Sequence, residues 1–476
     1  MLFNSLEYFL FLPTVFILYW FIFNNNIKIQ NTFIVVVSYI FYGWWDWRFL
    51  SLILISTLID YFVGLKIYSS NNINRKKNYL LISVIVNLGI LGFFKYYNFF
   101  IDSWIDLVST FGYYPKSVWS LNIILPVGIS FYTFQTMSYS LDIYNRKLKP
   151  TKDFISFAAF VSFFPQLVAG PIERASNLIP QILHARVFKY GKGVQGLRLI
   201  LWGMFKKIVI ADSLSVQVDY CFNNYHSLDG GTLLLGLIYL SFQIYCDFSG
   251  YSDIAIGTAK LFGIELMSNF KFPYFSRDIA EFWRKWHISL STWFRDYMYI
   301  PLGGSKTGKW ISIRNIFIIF IVSGFWHGAN WTFIAWGLCH ALMYIPLLLN
   351  GNNRRYINDI VIRKGWFPSF RELFQITSTF LLVTLSWVFF RSESILSSFE
   401  YLSYIIIKCS IPTENGYYLL FILLLLFIEW TFYINKRDPL NYKSKVIRIF
   451  FYILIFNLCL VTITENPIKS FIYFQF

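Results

Sequence analysis

Charged residues are scarce in this 476-residue sequence, and their scarcity argues against a soluble protein. Only 14% of the residues are charged, whereas soluble domains average about 25%. Hydrophobic residues make up 56% of the chain, and they come in long uninterrupted blocks rather than on alternating faces. Blocks of about 20 residues are what a helix needs to cross a hydrocarbon layer about 30 Å thick. The sequence therefore predicts an all-α, polytopic integral membrane protein.

Cysteine is also rare, and its pattern excludes the usual cysteine chemistry. The five cysteines are widely spaced, and they show no CxxC pair or alternation with histidine. Neither a disulfide framework nor a zinc site is predicted. The sequence also lacks a cationic leader with a small-residue cleavage site, so the first apolar block is expected to be a retained transmembrane helix. The cysteines are Cys221, Cys246, Cys339, Cys409 and Cys459.

Acidic residues are outnumbered by basic ones, which gives a formal net charge of +16. The basic residues sit in short loops between apolar blocks, as they do in the cytoplasmic loops of membrane proteins. The charge therefore predicts a membrane topology with the N-terminus outside, and it does not indicate a nucleic-acid partner.

The apolar blocks predict about 11 to 12 transmembrane helices in one membrane-embedded domain, residues 1–476, with no linker and no internal repeat. Their boundaries are uncertain by a few residues. The expected spans are 8–23, 31–45, 49–66, 79–98, 119–144, 194–211, 232–263, 314–326, 331–349, 373–390, 416–434 and 449–464.

One apolar block, residues 154–172, does not fit this topology, because basic loops flank it on both sides. Its Pro165, Gly170 and Pro171 cannot continue a regular helix. Irregular backbone at membrane depth is tolerated only where protein or water surrounds it. We therefore expect a re-entrant segment that opens from the cytoplasmic side.

His327 is the residue that most strongly suggests chemistry. It lies between two apolar blocks, and a polar or ionisable group at membrane depth costs about 2.5 to 3.5 kcal/mol, so such groups are candidates for function. The flanking Gly324 and Gly328 would let another backbone or a substrate approach closely. A neutral imidazole can act as a general base, although a histidine satisfied by a carbonyl at a helix end is an equally good interpretation.

A second histidine, His287, lies in a segment in which charged residues alternate with aromatic rings, at about 268–300. Read as one helix, this segment places Trp283, Trp286 and Trp293 on one face, as in an amphipathic helix at the cytoplasmic leaflet. That interpretation does not explain the Pro-Leu-Gly-Gly at 301–304, which indicates a tight turn back into the bilayer.

The motifs around the two histidines resemble the membrane-bound O-acyltransferase (MBOAT) family. Residues 283–304 read WRKWHISLSTWFRDYMYIPLGG, and residues 324–337 read GFWHGANWTFIAWG. The resemblance also covers 125–144, 160–175, 245–257 and the last six residues, FIYFQF. Together these motifs are similar to the bacterial branch typified by the membrane subunit of alginate O-acetyltransferase (AlgI-like), with a motif core at about 120–350.

The resemblance implies a site and its substrates. His327 would be the catalytic histidine, and His287 would occupy a second motif position that carries histidine or asparagine in related proteins. A tunnel would join a cytoplasmic donor entrance to an acceptor entrance outside. The donor would be acetyl-CoA or another acyl thioester, with no permanently bound cofactor. Its phosphates could be met by basic residues of the cytoplasmic segment, although topology alone also explains these residues. They are Arg277, Arg284, Lys285 and Arg295.

Two mechanisms place His327 at the centre. It could remove the proton from an acceptor hydroxyl that attacks the thioester, or it could form an acyl-histidine intermediate. Asn330, or a backbone N–H near Gly324 and Gly328, could stabilise the oxyanion.

Other polar and aromatic residues receive smaller roles. Trp286 and Trp326 are expected to line the tunnel. Asp247 and Tyr251 lie in a long apolar block, where they could line the tunnel or, as we prefer, belong to a buried ion pair. His340 is expected to be a core residue.

The resemblance leaves several acceptors open. It favours a cell-surface polysaccharide, with a hydrolase-fold acetyltransferase outside the cytoplasm as partner, in the inner membrane of a bacterium. Peptidoglycan O-acetylation and D-alanyl transfer to teichoic acid (DltB-like) are alternatives. A polysaccharide or lipid transporter is the alternative from another class, but transporters typically show half-repeats.

Overall fold

Helices form all the regular secondary structure that the computed structural model describes, at 1–114, 120–168, 170–306, 308–357, 367–412, 416–435, 438–465, 469 and 471–472. The all-α prediction is thereby confirmed. The physical reason is that a chain in hydrocarbon must satisfy its backbone hydrogen bonds internally. These residues form two compact units, Met1–Gly193 with Thr258–Leu266, and Val194–Gly257 with Met267–Phe476. The single membrane-embedded domain remains a prediction.

The first unit is a bundle of helices of very different lengths. Its helices are α1 (Leu6–Ile17), α2 (Ile27–Asp46), α3 (Leu50–Ser69), α4 (Ile73–Leu91), α5 (Tyr97–Thr110), α6 (Ile129–Tyr144), α7 (Phe154–Ser162), α8 (Phe164–Leu167) and α9 (Ala175–Leu183).

The helix within the predicted re-entrant segment, 154–172, is broken, and the re-entrant path itself stays a prediction. The nine residues of α7 extend only about 14 Å at 1.5 Å per residue, too short to cross a bilayer. The chain leaves helical geometry at Phe163, where ψ is 107°. The Gln135 side chain of α6 donates a hydrogen bond of 2.6 Å to the Phe160 carbonyl, and Gln166 donates another of 2.9 Å. Glutamine amides therefore satisfy the carbonyl that the break exposes.

The second unit contains the longer helices. They are α10 (Tyr190–Met204), α11 (Ser213–Asn223), α12 (Gly230–Leu261), α13 (Ile279–Lys285), α14 (Ile288–Phe294), α15 (Lys309–His327), α16 (Trp331–Leu349), α17 (Phe370–Arg391), α18 (Ile395–Ile407), α19 (Leu419–Asn435) and α20 (Lys445–Glu465). The first residues of α10 and the last residues of α12 belong to the first unit.

Eight helical stretches of the described residues are long and apolar enough to cross a membrane, and they contain nine of the twelve predicted spans. The span predicted at 8–23 corresponds to a shorter apolar helical stretch, Leu6–Ile22. The span at 119–144 was predicted too long, because the helix begins only after Gly128, which has a φ of 73°. The span at 194–211 continues from α10 into a π-helical segment, Phe205–Asp212, that contains Lys206 and Lys207.

The segment predicted to be amphipathic, 268–300, is not one continuous helix, and its place at the cytoplasmic side remains a prediction. The chain forms two short helices, α13 and α14, because the backbone turns into the left-handed region at His287. The aromatic side chains of this turn are also buried rather than displayed at a surface: Trp286 is 1% exposed and Trp293 is 4% exposed. The segment is a helix-turn-helix inside the second unit.

Helix α20 shows how the molecule meets lipid. It leaves Phe450, Ile453, Phe456 and Leu460 exposed, at intervals of three or four residues. Such spacing places the four side chains on one face of the helix. An exposed apolar face of this length is typical of a helix that contacts lipid or another protein.

Glycines bring α15 and α16 unusually close together. A Cβ added to Gly324 would lie 2.2 Å from the carbonyl oxygen of Phe333, and one added to Gly337 would lie 2.2 Å from that of Phe320. Small residues permit this backbone contact between membrane helices. The close approach fixes the end of α15, where His327 lies.

Replacing Gly337 with alanine tests this contact. We expect Gly337→Ala to destabilise the protein by about 1 to 3 kcal/mol, because the helices must separate to admit a methyl group. Thermal unfolding of the detergent-purified protein measures the loss. Gly89→Ala is the control, since a Cβ at Gly89 has no atom within 4 Å. Equal melting temperatures for the two variants would contradict the assignment of the contact.

Candidate active site

His327 is the last residue of α15, and it is enclosed by aromatic rings. Its side chain is 2% exposed. The imidazole centroid lies 5.0 Å from Trp326, 5.1 Å from Trp336 and 5.5 Å from Phe390. These rings come from α15, α16 and α17. The sequence places His327 at the end of an apolar helix, but the packing of α17 against it has no signal in the sequence.

His287 occupies the turn between α13 and α14. Its φ of 42° and ψ of 55° lie in the left-handed region, which histidine adopts more readily than most residues. The neighbouring Ile288 N–H donates a hydrogen bond of 2.9 Å to the Asn269 carbonyl, and Ser289 donates one of 2.6 Å to the Asn269 side chain. Asn269 thus holds the turn that presents the imidazole.

The two imidazoles face a common region. Their centroids are 6.3 Å apart, and the Trp326 ring lies 5.9 Å from that of His287. His287 is fully buried and packs against Phe248 at 4.6 Å. At this separation one small group, such as a thioester carbonyl, can lie within hydrogen-bond reach of both rings.

Burial also decides the protonation of His287. Removal from water lowers its pKa to about 3, because the charged form loses its hydration. His287 is therefore a neutral imidazole at physiological pH. A neutral imidazole can donate a hydrogen bond to a developing oxyanion without itself titrating.

Comparison with known proteins decides the family. The family model for MBOAT, the membrane-bound O-acyltransferase family, matches residues 44–358, a range that includes both histidines. The chain belongs to this family. Its similar relatives include a probable alginate O-acetylase of Pseudomonas putida, 41% identical over 81% of this chain and 76% of the relative. The corresponding protein of Pseudomonas aeruginosa is 40% identical over 81% of this chain and 71% of its own. A peptidoglycan O-acetyltransferase of Helicobacter pylori is 36% identical over 84% of this chain and 79% of its own.

This MBOAT chain is therefore a multi-pass membrane acyltransferase, as the motifs predicted. The catalytic role of His327 remains a prediction. His340 has a different place. It accepts a hydrogen bond of 3.2 Å from Trp283 Nε1 and shares one of 3.0 Å with Ser386, so its prediction as a core residue is confirmed.

Asn330 serves the MBOAT fold as a helix cap. Its side-chain oxygen accepts a hydrogen bond of 3.0 Å from Thr332 N–H, at the start of α16. Its amide nitrogen donates to the Glu393 carbonyl at 3.2 Å. One N–H of this amide is therefore directed to the backbone after α17, and the role of Asn330 toward an oxyanion stays a prediction.

Asp247 belongs to a buried ion-pair network. Lys207 Nζ lies 2.7 Å from Asp247 and 2.8 Å from Asp212, and the Ile472 N–H donates to Asp247 at 2.6 Å. The preferred interpretation, an ion pair, is confirmed. Tyr251 is fully buried, and its ring centroid lies 5.4 Å from Lys207 Nζ.

Two buried lysines, Lys206 and Lys207, were not predicted from the sequence. Lys206 pairs with Asp253 at 2.6 Å, and both lysines are at most 3% exposed. Glu429, buried in α19, accepts a hydrogen bond of 2.8 Å from Tyr245. Charged residues inside apolar blocks are the signal that would have identified Lys206, Lys207 and Glu429.

The four basic residues proposed to meet the donor differ in exposure. Arg277 is 5% exposed and bonds Glu281 at 3.1 Å, and Lys285 bonds the same carboxylate at 2.9 Å. Burial raises the pKa of Glu281, but Lys285 and Arg277 outweigh it and hold the pKa below its usual value. Arg284 donates to the Asn353 carbonyl, and Arg295 is exposed beside Asp296.

Trp286 lies in a ring cluster next to His287. Its centroid is 5.1 Å from Phe270, 5.3 Å from Phe282 and 5.3 Å from Trp387. Trp286 is 1% exposed. Trp286 packs beside the turn at His287, whereas the Trp326 ring contacts both imidazoles.

Replacing Lys207 tests whether the network is structural. Lys207→Met should cost about 3 to 5 kcal/mol of stability, because it leaves Asp247 and Asp212 buried without their cation. Lys192→Met, which breaks an exposed pair with Glu265, should cost at most about 1 kcal/mol. Both are measured by thermal unfolding. A stable Lys207→Met protein that has lost activity would instead place Asp247 at the substrate.

Proposed function

We propose that this chain transfers an acetyl group from acetyl-CoA in the cytosol to hydroxyl groups of a polysaccharide at the cell surface. The observation that carries the proposal is the pair of buried imidazoles, His327 and His287, 6.3 Å apart. Relatives that cover 81% of the chain are named probable alginate O-acetylases, which supports acetyl as the group and a polysaccharide as the acceptor.

His327 acts as the general base. The acceptor oxygen attacks the thioester carbonyl carbon while the imidazole takes the hydroxyl proton. The carbon–sulfur bond then breaks, and the imidazolium returns that proton to the leaving thiolate. The products are an acetyl ester and a free thiol, so no other reactant is needed. In the alternative, an imidazole nitrogen of His327 attacks the thioester carbon and the carbon–sulfur bond breaks, which leaves an acyl-histidine and a thiol. The acceptor hydroxyl then attacks the acyl carbon, the carbon–nitrogen bond breaks, and the hydroxyl proton is released to the imidazole.

His287 stabilises the oxyanion of the tetrahedral intermediate. Its neutral imidazole carries one N–H, and a hydrogen-bond donor that is already fixed in place lowers the barrier most in a site without water. Asn269 and the left-handed turn fix its direction before the substrate arrives. His287 therefore takes over the role that the sequence suggested for Asn330.

The burial of His327 requires that both substrates reach it through the interior of the protein. We infer a tunnel from the cytoplasm for the thioester and an entrance outside for the polysaccharide. Of the four basic candidates, Arg295 has the exposed guanidinium, with 59% of its side chain in contact with solvent. This exposure supports Arg295 as the residue that meets the phosphates of acetyl-CoA.

The acceptor is a polysaccharide of the bacterial envelope, and the protein lies in the inner membrane of a bacterium. A separate hydrolase-fold acetyltransferase outside the cytoplasm would complete the modification. Peptidoglycan is the second candidate acceptor, because the peptidoglycan O-acetyltransferase of Helicobacter pylori matches 84% of this chain.

His327→Ala tests the general base. We expect it to lower the rate of acetyl transfer by about 10²-fold to 10⁴-fold, which is the usual contribution of a general base. The measurement is transfer of labelled acetyl from acetyl-CoA in purified membranes. His226→Ala, at an exposed loop histidine, is the control. Full acetylation of the polysaccharide by a normally inserted His327→Ala protein would exclude an acyltransferase mechanism on this residue and favour transport.

Substitutions of His287 test the oxyanion role. His287→Asn keeps an N–H donor and tolerates the left-handed backbone, so it should retain part of the activity. His287→Gly also fits the backbone but removes the donor, and it should lose about 10²-fold to 10³-fold in kcat. Because His287 does not titrate above its pKa of about 3, the acid limb of the pH profile should stay in place in His287→Asn. Equal losses in the two variants would refute the role as a donor.

A further inference from the structure

Asp60 is a buried carboxylate on α3 in the first unit, far along the sequence from both histidines. It is fully buried. Its Oδ1 accepts hydrogen bonds of 2.5 Å from the hydroxyls of Ser83 and Ser140, and its Oδ2 accepts one of 2.6 Å from the Asn87 amide. Within the described part of the chain, these hydrogen-bond partners of Asp60 are all neutral, and none of the recorded ion pairs includes it.

More oxygens surround this carboxylate. The Asn87 side-chain oxygen accepts hydrogen bonds of 2.8 Å from Ser56 and 3.2 Å from Thr136. Ser56 and Thr136 also lie 3.1 Å from each other. Carboxylate, hydroxyl and amide oxygens from α3, α4 and α6 thus converge on one place.

The charge of Asp60 is costly in this position. Removing an ionised carboxylate from water costs several kcal/mol even after the protein has relaxed, and a neutral hydroxyl or amide donor does not cancel the charge. The ion pairs of Lys207 in the second unit show the usual solution for a buried carboxylate, which is a basic side chain. Asp60 has serine hydroxyls and the Asn87 amide around it in place of a basic side chain.

We propose that the Asp60 cluster binds one small monovalent cation, either a proton or a sodium ion. One carboxylate carries one negative charge, so a monovalent cation makes the cluster neutral. Calcium sites use six to eight oxygens with several carboxylates, and magnesium keeps waters that this packed cluster does not provide. Oxygen ligands suit hard cations and not softer transition metals.

The hydroxyl groups let the cluster accept either cation. A serine hydroxyl is one donor and two acceptors, and it rotates to suit its partner. Ser83 or Ser140 can turn its lone pairs toward a sodium ion or toward a protonated Asp60. The site would then fasten α3, α4 and α6 together. Helix α6 also carries Gln135, which holds the broken helix α7.

The helices of the cluster carry several other titratable groups. Tyr139 on α6 interacts electrostatically with Asp60, and Tyr61 is its neighbour on α3. The buried Asp142 also lies on α6, Lys66 lies near the end of α3, and α7 contains no titratable residue. Helix α4 carries Arg75, Lys76, Lys77 and Tyr79 in its first two turns. Ordinary carboxyl, phenol, amine and guanidinium groups do not titrate near neutrality, so a response to pH in that range that requires Asp60 reports the cluster itself.

Thermal unfolding of the full-length protein in detergent tests the site. One series replaces N-methylglucamine chloride with sodium chloride at constant ionic strength. The other lowers the pH from about 8 to about 6 without sodium, a range in which an ordinary carboxyl does not titrate. A sodium site raises the melting temperature by a few degrees in the first series, and a proton site does so in the second, because each cation binds the folded state.

Asp60→Asn should abolish whichever response the unaltered protein shows, since it removes the charge and preserves the shape. Asp102→Asn, at an exposed carboxylate of the same unit, should preserve it. Should Asp60→Asn fail to fold, Ser140→Ala removes one hydroxyl that donates to the carboxylate, and it should shift the midpoint of the response to higher sodium or to higher pH. A protein that responds to neither cation, or an Asp60→Asn protein that responds like the unaltered one, overturns the proposal.

Discussion

The contact between α15 and α16 is the constraint on which the site depends. Where the backbones of two helices touch, the end of one is fixed relative to the other to within a few tenths of an ångström. A side chain at that end is therefore held in a well-defined position. His327 is such a side chain, and the rings of α16 and α17 complete its surroundings. Catalysis by positioned groups loses much of its effect when the geometry loosens by about 1 Å.

The second unit manages its buried charges by keeping them in short-range clusters. Lysines meet carboxylates of α12 and of the π-helical segment, and Arg277 and Lys285 share one glutamate. Removing charges from water is expensive, so each cluster recovers its cost only through several good contacts. The imidazoles differ, because a histidine can shed its charge. Neutral rings can therefore lie among tryptophans and phenylalanines without a counter-ion.

The sequence predicted much of this fold because hydrocarbon restricts what a chain can do. Apolar length identified most of the spans, and Pro165 and Gly170 indicated where α7 would break. The failures have a common cause. The periodicity of 268–300 described one helix, but a left-handed residue between two helices leaves the spacing of apolar residues almost unchanged. Periodicity reports which faces are apolar, and it does not report a change of direction at a single residue such as His287.

The candidate site was likewise predicted from the sequence only in part. His327 and His287 were recognisable because their motifs resemble a known family, whereas their separation in space depended on a turn that the sequence did not reveal. Asn330 was assigned chemistry because it is polar and close to His327 in sequence. In the structure its side-chain oxygen caps the start of α16, and its amide nitrogen donates to the Glu393 carbonyl after α17.

The exposed face of α20 means that the surrounding lipid is part of what stabilises this enzyme. At 1.5 Å per residue, its 21 residues extend about 31 Å, close to the hydrocarbon thickness of a bilayer. A micelle with a thinner apolar belt leaves one end of this helix in water or forces it to tilt. The chain length of the detergent therefore affects how much of the native fold is kept during extraction.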